Sequence, residues 1–588
     1  MRREPIAGTS LPIVSDLFVV CVIAAMIYGM LAFAQQWQAH YNPTYKIDLS
    51  LSALPLYSAF SALRGFVAYL ISLAFTLVVG YWAAKNKMAE KIILPILDVM
   101  QSIPVLGFLP GLVLGLVAIF PNTNMGLELA SIVMIFTGQV WNMTFAFYSS
   151  LKSLPGDLQE AAAVMQLSNS QKFRFLELPF SAMNLTWNSV MSMAGGWFFL
   201  TVCEAFTLGN DNYRLPGLGA YMAVAIDAGK TDAIVAGIIA MALVIIFFDI
   251  FLWKPALAWA HSFRLEETEG NRADEPLIQA ILKNSNLLKL IQAWSRRRRL
   301  PKRRASISRI PVFEKVVLFF ARVFLNPARR LQDQVDKRWK SWIGICAMAF
   351  VVAVLAIIGL VKLGHLLATV HLEDWMRILA DTFYTFLRVF AAVLIGSSWT
   401  VPVGIWVTQT QKRMRIAQPI IQLFASFPAP MLYPLAMGIF IILKINFQIS
   451  SMLLMLLGVQ WYVLFNVLAG ALRIPTELRL VMNLMECSSW DKWRYLFLPS
   501  VFPSLVTGWV TAAGGAWNAS IVSEVLSYRG HELVARGLGA DISQAAAHAD
   551  FAQLAACLLV MVVVVVVLNR LIWAKLYTLV QTRYRLDL

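Results

Sequence analysis

Gly195-Gly196-Trp197-Phe198-Phe199-Leu200-Thr201-Val202-Cys203-Glu204 is answered later in the chain by Gly514-Gly515-Ala516-Trp517-Asn518-Ala519-Ser520-Ile521-Val522-Ser523-Glu524, with Trp197 and Trp517 and then Glu204 and Glu524 each 320 residues apart. Both stretches are apolar, open on small residues that let helices approach closely, and end on a carboxylate, which is costly in hydrocarbon unless paired. A tryptophan and a glutamate recurring in one register across two such runs point to a duplicated membrane-spanning unit.

The register extends outward from this pair. At the same offset of 320, Trp141 matches Trp461, Pro155 matches Pro475, Lys172 and Arg174 match Lys492 and Arg494, and Pro179 matches Pro499. Gly217, Gly219 and Trp253 likewise match Gly537, Gly539 and Trp573. Nearer the N-terminus the offset is 324: Arg64 with Arg388, Gly80 with Gly404, Pro95 with Pro419, and Ser102, Pro104 and Pro110 with Ser426, Pro428 and Pro434. One four-residue length change after Pro110 accounts for both offsets.

Composition agrees with a membrane solvent. The 588-residue chain is 59% hydrophobic and 14% charged, with a mean hydropathy of +0.67. Apolar runs of about 20 residues, the length that crosses a bilayer, lie near Leu17 to Phe33, Phe66 to Ala84, Leu129 to Ser149, Leu185 to Leu208 and Ala233 to Trp253. They recur near 343–361, Val389 to Val407, Met452 to Leu472, Leu505 to Leu526 and Leu554 to Trp573. Each set also holds a shorter, proline-interrupted segment, Val105 to Phe120 and Met431 to Leu443. The first run, after Arg2 and Arg3, has the look of a cleavable signal peptide, but an equivalent run opens the second set, so it is read as a span.

The expectation is an all-α membrane protein of about twelve transmembrane helices in two tandem, parallel-oriented six-helix repeats, 1–260 and 342–588, joined by a basic linker, 261–341. Lysines and arginines resist translocation. With a cytoplasmic N-terminus, Lys85, Lys87, Lys91, Lys152, Lys412, Arg413, Arg415 and the linker runs Arg296 to Arg299 and Lys302 to Arg304 all fall inside, while Pro121 to Glu128 is free of basic residues. The net charge of +16 thus reads as a topology signal and an attraction to anionic lipids rather than a nucleic-acid surface. Within the linker, Val312 to Val335 mixes apolar and basic residues and is either an amphipathic helix on the inner leaflet or a solvated strap. Five scattered cysteines, Cys21, Cys203, Cys346, Cys487 and Cys557, form no metal or disulfide pattern.

Between the fourth and fifth spans of the first repeat the chain reads Glu160-Ala161-Ala162-Ala163-Val164-Met165-Gln166, then Phe173, and reaches Leu178-Pro179 nineteen residues after Glu160. This resembles the E-A-A-x-x-x-G loop of permeases of binding-protein-dependent ABC importers. Leu63-Arg64 and Leu387-Arg388, Ser102-Ile103-Pro104 and Ser426-Phe427-Pro428, and the two glycine-tryptophan-glutamate stretches are similar to the nitrate/taurine-type group of those permeases. The resemblance covers most of each repeat. It implies two fused permease repeats of type I importer architecture in the bacterial inner membrane, both termini cytoplasmic. It also implies an ABC-type ATP-binding subunit in two copies, a periplasmic or lipid-anchored substrate-binding protein, and a small anionic solute such as nitrate, bicarbonate or a sulfonate.

In the family this loop docks into the ATP-binding subunit, and the resemblance gives that role to Glu160, Ala161, Ala162 and Gln166, and to Leu480 and Glu486 in the second repeat. The second loop has Leu480, Val481 and Met482 in place of Glu160, Ala161 and Ala162, and the family's glycine is Gln166 in one loop and Glu486 in the other. Unequal coupling is the consequence expected.

No G-x-x-x-x-G-K-[ST] occurs, so no cofactor is expected on this chain, and ATP with Mg belongs on the partner. No nucleophile and base pair stands out, so the chain reads as a carrier and not an enzyme. For the solute pathway the candidates are the neutral side chains Asn142, Asn188, Asn518, Ser520 and Ser523 with Trp197 and Trp517, each with helix-to-helix bonding as its plainer alternative. Glu204 and Glu524 repel an anion and are read as structural charges bonded to backbone or to Arg64 and Arg388. Matched interrupted spans expose half-helix ends or serve as packing kinks. Two other classes stay open: an ion-gradient-driven secondary transporter using Glu204 and Glu524 as proton sites, and a non-transporting scaffold.

Overall fold

A computed structural model of the chain describes residues 28–263 and 354–583, apart from 43, 103, 210, 355, 356, 529 and 530. Most of the first expected span, nearly all of the linker 261–341 with its Val312 to Val335 stretch, and the start of the first span's counterpart in the second repeat, 343–361, lie outside the described residues.

In the first repeat, α1 (Leu54–Lys85) is followed by α2 (Lys87–Ser102) and α3 (Leu109–Ile119). Then come α4 (Met125–Lys152), the short α5 (Gly156–Val164) and α6 (Leu178–Cys203). After α6 the chain turns through an antiparallel hairpin, β1 (Ala205–Leu208) and β2 (Asp211–Arg214), into α7 (Leu218–Asp227) and α8 (Thr231–His261). The second repeat retraces the order. Its elements are α9 (Leu372–Thr408), α10 (Gln411–Ser426), α11 (Ala429–Ile442), α12 (Phe447–Leu472), α13 (Thr476–Leu484) and α14 (Leu498–Ser523). A second hairpin, β3 (Val525–Tyr528) and β4 (His531–Val534), leads into α15 (Leu538–Ala547) and α16 (Phe551–Val580).

Among the described residues seven helices are long and apolar enough to cross a membrane, and the pair Lys412–Ser426 with Ala429–Ile442, bent by 90°, makes an eighth if taken as one broken span. α6 does not stand among the seven. Its length matches that of α14, but Ser181, Thr186, Ser189 and Ser192 lie along it, all buried inside the protein.

Two expectations are corrected. The apolar runs drawn through Leu208 and Leu526 stop as helices at Cys203 and Ser523, so a mainly helical fold carries two β-hairpins that the all-α reading lacked. Of the prolines read as breaking the short spans, Pro104 with Pro110 and Pro428 with Pro434, the interruption falls at Pro104 and Pro428, both in extended conformation with ψ of 104° and 113°. Pro110 instead stands in the first turn of α3, where a missing N–H is harmless, and Pro434 is carried inside α11. The length change between the repeats falls between Pro110 and Glu128, across the turn that joins α3 to α4.

Within each repeat the long helices pack as a bundle, α4 against α1 and α6, and α12 against α9 and α14. Between repeats the packing is reciprocal. α10 and α11 lie on α6, while the turn Val105–Phe108 lies on α14; α10 meets α8 and α2 meets α16. The repeats therefore face each other about a pseudo-two-fold axis, with the broken segments at the contact.

Candidate functional site

Arg64, Glu204, Arg388 and Glu524 are all buried and assemble as two clusters. Arg64 donates from Nε and Nη2 to the two carboxylate oxygens of Glu128 at 2.6 and 2.8 Å, from Nη1 to Glu204, and from Nη2 to the Pro216 carbonyl at 3.0 Å. Glu204 also accepts from Ser61 Oγ and from the Gly219 N–H, each at 2.7 Å. In the second repeat Arg388 donates to Glu524 at 2.7 Å, to the Gln448 side chain, and to the Arg536 carbonyl at 2.8 Å. Glu524 accepts from Thr385 at 2.8 Å and from the Ala540 N–H at 3.2 Å.

Glu204 and Glu524 cap the C-termini of α6 and α14 while the hairpins fold back onto them. This is why the paired glycines recur. A Cβ at Gly217 would overlap the Glu204 carboxylate, and one at Gly537 would overlap that of Glu524. Both glycines are extended, so the requirement is for room and not for a special backbone angle. Reading the sequence for isolated charges missed Glu128 and Gln448, although they stand 320 residues apart, in the register of the repeat.

At the other end of α6 and α14 lie the short helices α5 and α13. Gln166 and Glu486, where the family pattern has glycine, both adopt φ 51°, the left-handed region. The Gln166 and Leu167 N–H groups bond the carbonyls of Ala163 and Ala162 at 2.9 and 3.1 Å, and Glu486 and Cys487 do the same to Asn483 and Met482 at 3.0 and 3.2 Å. Such a turn satisfies the last carbonyls of a helix and is most easily made by glycine. Ala162 is turned into the protein, 5% exposed, whereas Glu160, Ala161 and Leu480 are exposed. Val164, Met165, Leu484 and Met485 present apolar side chains to the outside.

Two cavities lie between the repeats and share Tyr462, Phe199, Gly515 and Asn518. One, of about 110 Å³, is lined among others by Gln101, Asn142, Thr511, Trp517 and Asn518; the second, of about 70 Å³, by Met191, Phe198, Ala425, Trp461 and Tyr462. Asn518 Oδ1 accepts from the Val105 N–H at 2.8 Å, so a side chain of the second repeat caps the break in the first.

Of the expected pathway residues, Asn142, Trp517 and Asn518 are thus brought together. Asn188 is not with them; its amide bonds Asn184 on its own helix at 2.9 and 3.0 Å. Trp197 stacks edge-on against Phe248 and covers Gly65. Ser520 bonds the Trp517 carbonyl at 2.8 Å, and Ser523 Oγ is buried without a partner among the described residues. Gln101 and Thr511 were not singled out by sequence.

A chain with paired helical bundles, interrupted spans at their contact and an exposed short helix before α6 and before α14 has the build of a multi-pass membrane permease. The profile of the family described as binding-protein-dependent transport system inner membrane component matches twice, at residues 76–252 and 400–585, more than half of the chain. The protein belongs to that family, as a fused, duplicated ABC importer permease. It is similar to a protein of Methanocaldococcus jannaschii described as an ABC transporter permease, 23% identical over 32% of this chain and 68% of the relative. The taurine transport system permease protein TauC of Escherichia coli strain K12 is 28% identical over 28% of this chain and 55% of its own. The nitrate import permease protein NrtB of Leptolyngbya laminosa is 22% identical over 24% and 49%. The chain thus spans about half the length of these last two relatives.

Proposed function

We propose that this chain forms the translocation pathway of an ATP-driven importer, with a small anion passing between the two repeats. The observation that carries the reading is the pair of repeats meeting at their broken spans around shared, uncharged cavities, with α5 and α13 exposed on one side. ATP and Mg are held by separate ATP-binding subunits, two per chain, docked on α5 and α13. Glu160, Ala161, Gln166, Leu480 and Glu486 face those subunits, and Ala162 supports the helix from behind. A periplasmic or lipid-anchored substrate-binding protein delivers the solute from the opposite side. Both termini lie in the cytoplasm of a cell whose inner membrane holds the chain, and the basic linker meets anionic lipid there. The names of the taurine and nitrate permeases support an anionic solute.

Gradient-driven transport would need Glu204 and Glu524 to exchange protons with the pathway. Each is bonded to an arginine and to a backbone N–H, and neither lines the two cavities between the repeats, which favours the ATP-driven reading.

The test is extraction of the intact chain from its host in mild detergent. An ABC-type ATP-binding subunit is expected to co-purify, and Val164→Asp or Leu484→Asp, each placing a charge on an exposed apolar docking position, is expected to reduce its recovery. Uptake by the purified chain alone, driven by a pH gradient, would overturn the reading.

A further inference from the structure

The two cavities are pseudo-symmetry mates, and the repeat register pairs their walls. Gln101 in the larger corresponds to Ala425 in the smaller, and Asn142 to Tyr462; Thr511 corresponds to Met191, and Asn518 to Phe198. Asn518 and Tyr462 line both cavities, but Gln101, Asn142 and Thr511 line the larger alone, and the first and last of these are answered by Ala425 and Met191 at the matching places in the smaller. The matched walls thus differ, the larger carrying amide and hydroxyl groups that the smaller lacks.

We propose that solute recognition is one-sided: the polar cavity between Gln101 and Asn142 of the first repeat and Thr511 and Asn518 of the second is the binding site, and its mate is packing. This deepens the importer reading and rests on it. The occupant follows from the wall. No aspartate, glutamate, lysine or arginine lines either cavity, so a cation finds no counter-charge. Carboxamides both donate and accept, whereas the indoles of Trp141 and Trp573, also in the polar wall, can only donate.

Val105, in the turn before α3, also lines that cavity, and its N–H is held by Asn518 Oδ1 at 2.8 Å. Uncharged and lined by amides and indole N–H groups, the site fits a small oxyanion. A volume of about 110 Å³, against ~30 Å³ for each water in the liquid, has room for nitrate, bicarbonate or a short sulfonate.

Accessibility to a thiol reagent separates the two cavities. Val510 lines only the polar cavity and Ala425 only its mate, and neither side chain supplies a hydrogen bond. In a full-length chain whose five cysteines are replaced, Val510→Cys and Ala425→Cys are reconstituted with the ATP-binding subunit in vesicles and treated with a maleimide. Nitrate, bicarbonate and taurine are the added probes.

One probe is expected to slow labelling of Val510→Cys by about tenfold and of Ala425→Cys by less than about twofold. The paired change Asn142→Tyr with Thr511→Met, which gives the polar wall the side chains of its mate, is expected to abolish that probe's uptake, whereas Met191→Leu is not. Equal protection of both cysteines overturns the proposal, as does protection of neither, or no labelling of Val510→Cys without a probe, since a solute site must be reachable from water. ATP-dependent uptake without protection removes the site and leaves the importer reading standing. Protection with uptake that ignores ATP does the reverse.

Discussion

Arg64 lies wholly inside the protein between two carboxylates, whereas Arg388 has one carboxylate and an amide. Removing one partner of a buried pair leaves an uncompensated charge and costs about 3–5 kcal/mol. Arg64→Met, which strands Glu128 and Glu204 together, is expected to lose at least that much and to leave little folded protein in the membrane, read by the thermal unfolding midpoint in detergent. Glu128→Gln leaves Arg64 with one carboxylate and one amide oxygen, as Arg388 has in Glu524 and Gln448, and its unfolding midpoint is expected to fall less than that of Arg64→Met. Gly217→Ala should resemble Arg64→Met, because the added methyl group takes the space of the Glu204 carboxylate.

At the level of the element, α5 and α13 end on left-handed residues that are not glycine. A side chain there costs roughly 1–2 kcal/mol relative to a right-handed position. Gln166→Gly and Glu486→Gly are each expected to stabilise the local turn by about 1 kcal/mol, seen as slower amide exchange at Leu167 and Cys487, whose N–H groups close those turns. The sequence shows this turn through the family spacing, and it shows the duplication and long apolar helices through prolines and tryptophans in register. It does not show the hairpins. Ala205–Leu208 and Val525–Tyr528 are as apolar as the helices they follow, and hydropathy alone does not distinguish a helix end from a strand. The cavity walls were half legible: Asn142 and Asn518 stand out as amides in apolar spans, but Gln101 and Thr511 become informative only when compared with Ala425 and Met191 in three dimensions.

Across the whole molecule the repeats are fastened at the end that bears the hairpins. The Gly209 N–H bonds the Ala546 carbonyl at 3.2 Å, and Ser527 Oγ bonds Asp227 at 3.2 Å, so each hairpin touches the short helix, α15 or α7, that follows the hairpin of the other repeat. Alternating exposure of a site between the repeats requires this end to part. Asp227→Cys with Ser527→Cys, oxidised to a disulfide, is therefore expected to arrest uptake reversibly: reductant restores it, and each single cysteine leaves it near the parent rate.

The tether between the repeats also bears on descent. In a permease built from two identical chains, every substitution is made twice, on both sides of the axis, and an innovation that suits one side burdens the other. Once both halves share a single reading frame, Gln448 can depart from Glu128, and Phe198 from Asn518, without the mate following. Fusion thus releases each half from inheriting its partner's changes, and the lineage can specialise one wall while keeping the other as scaffold.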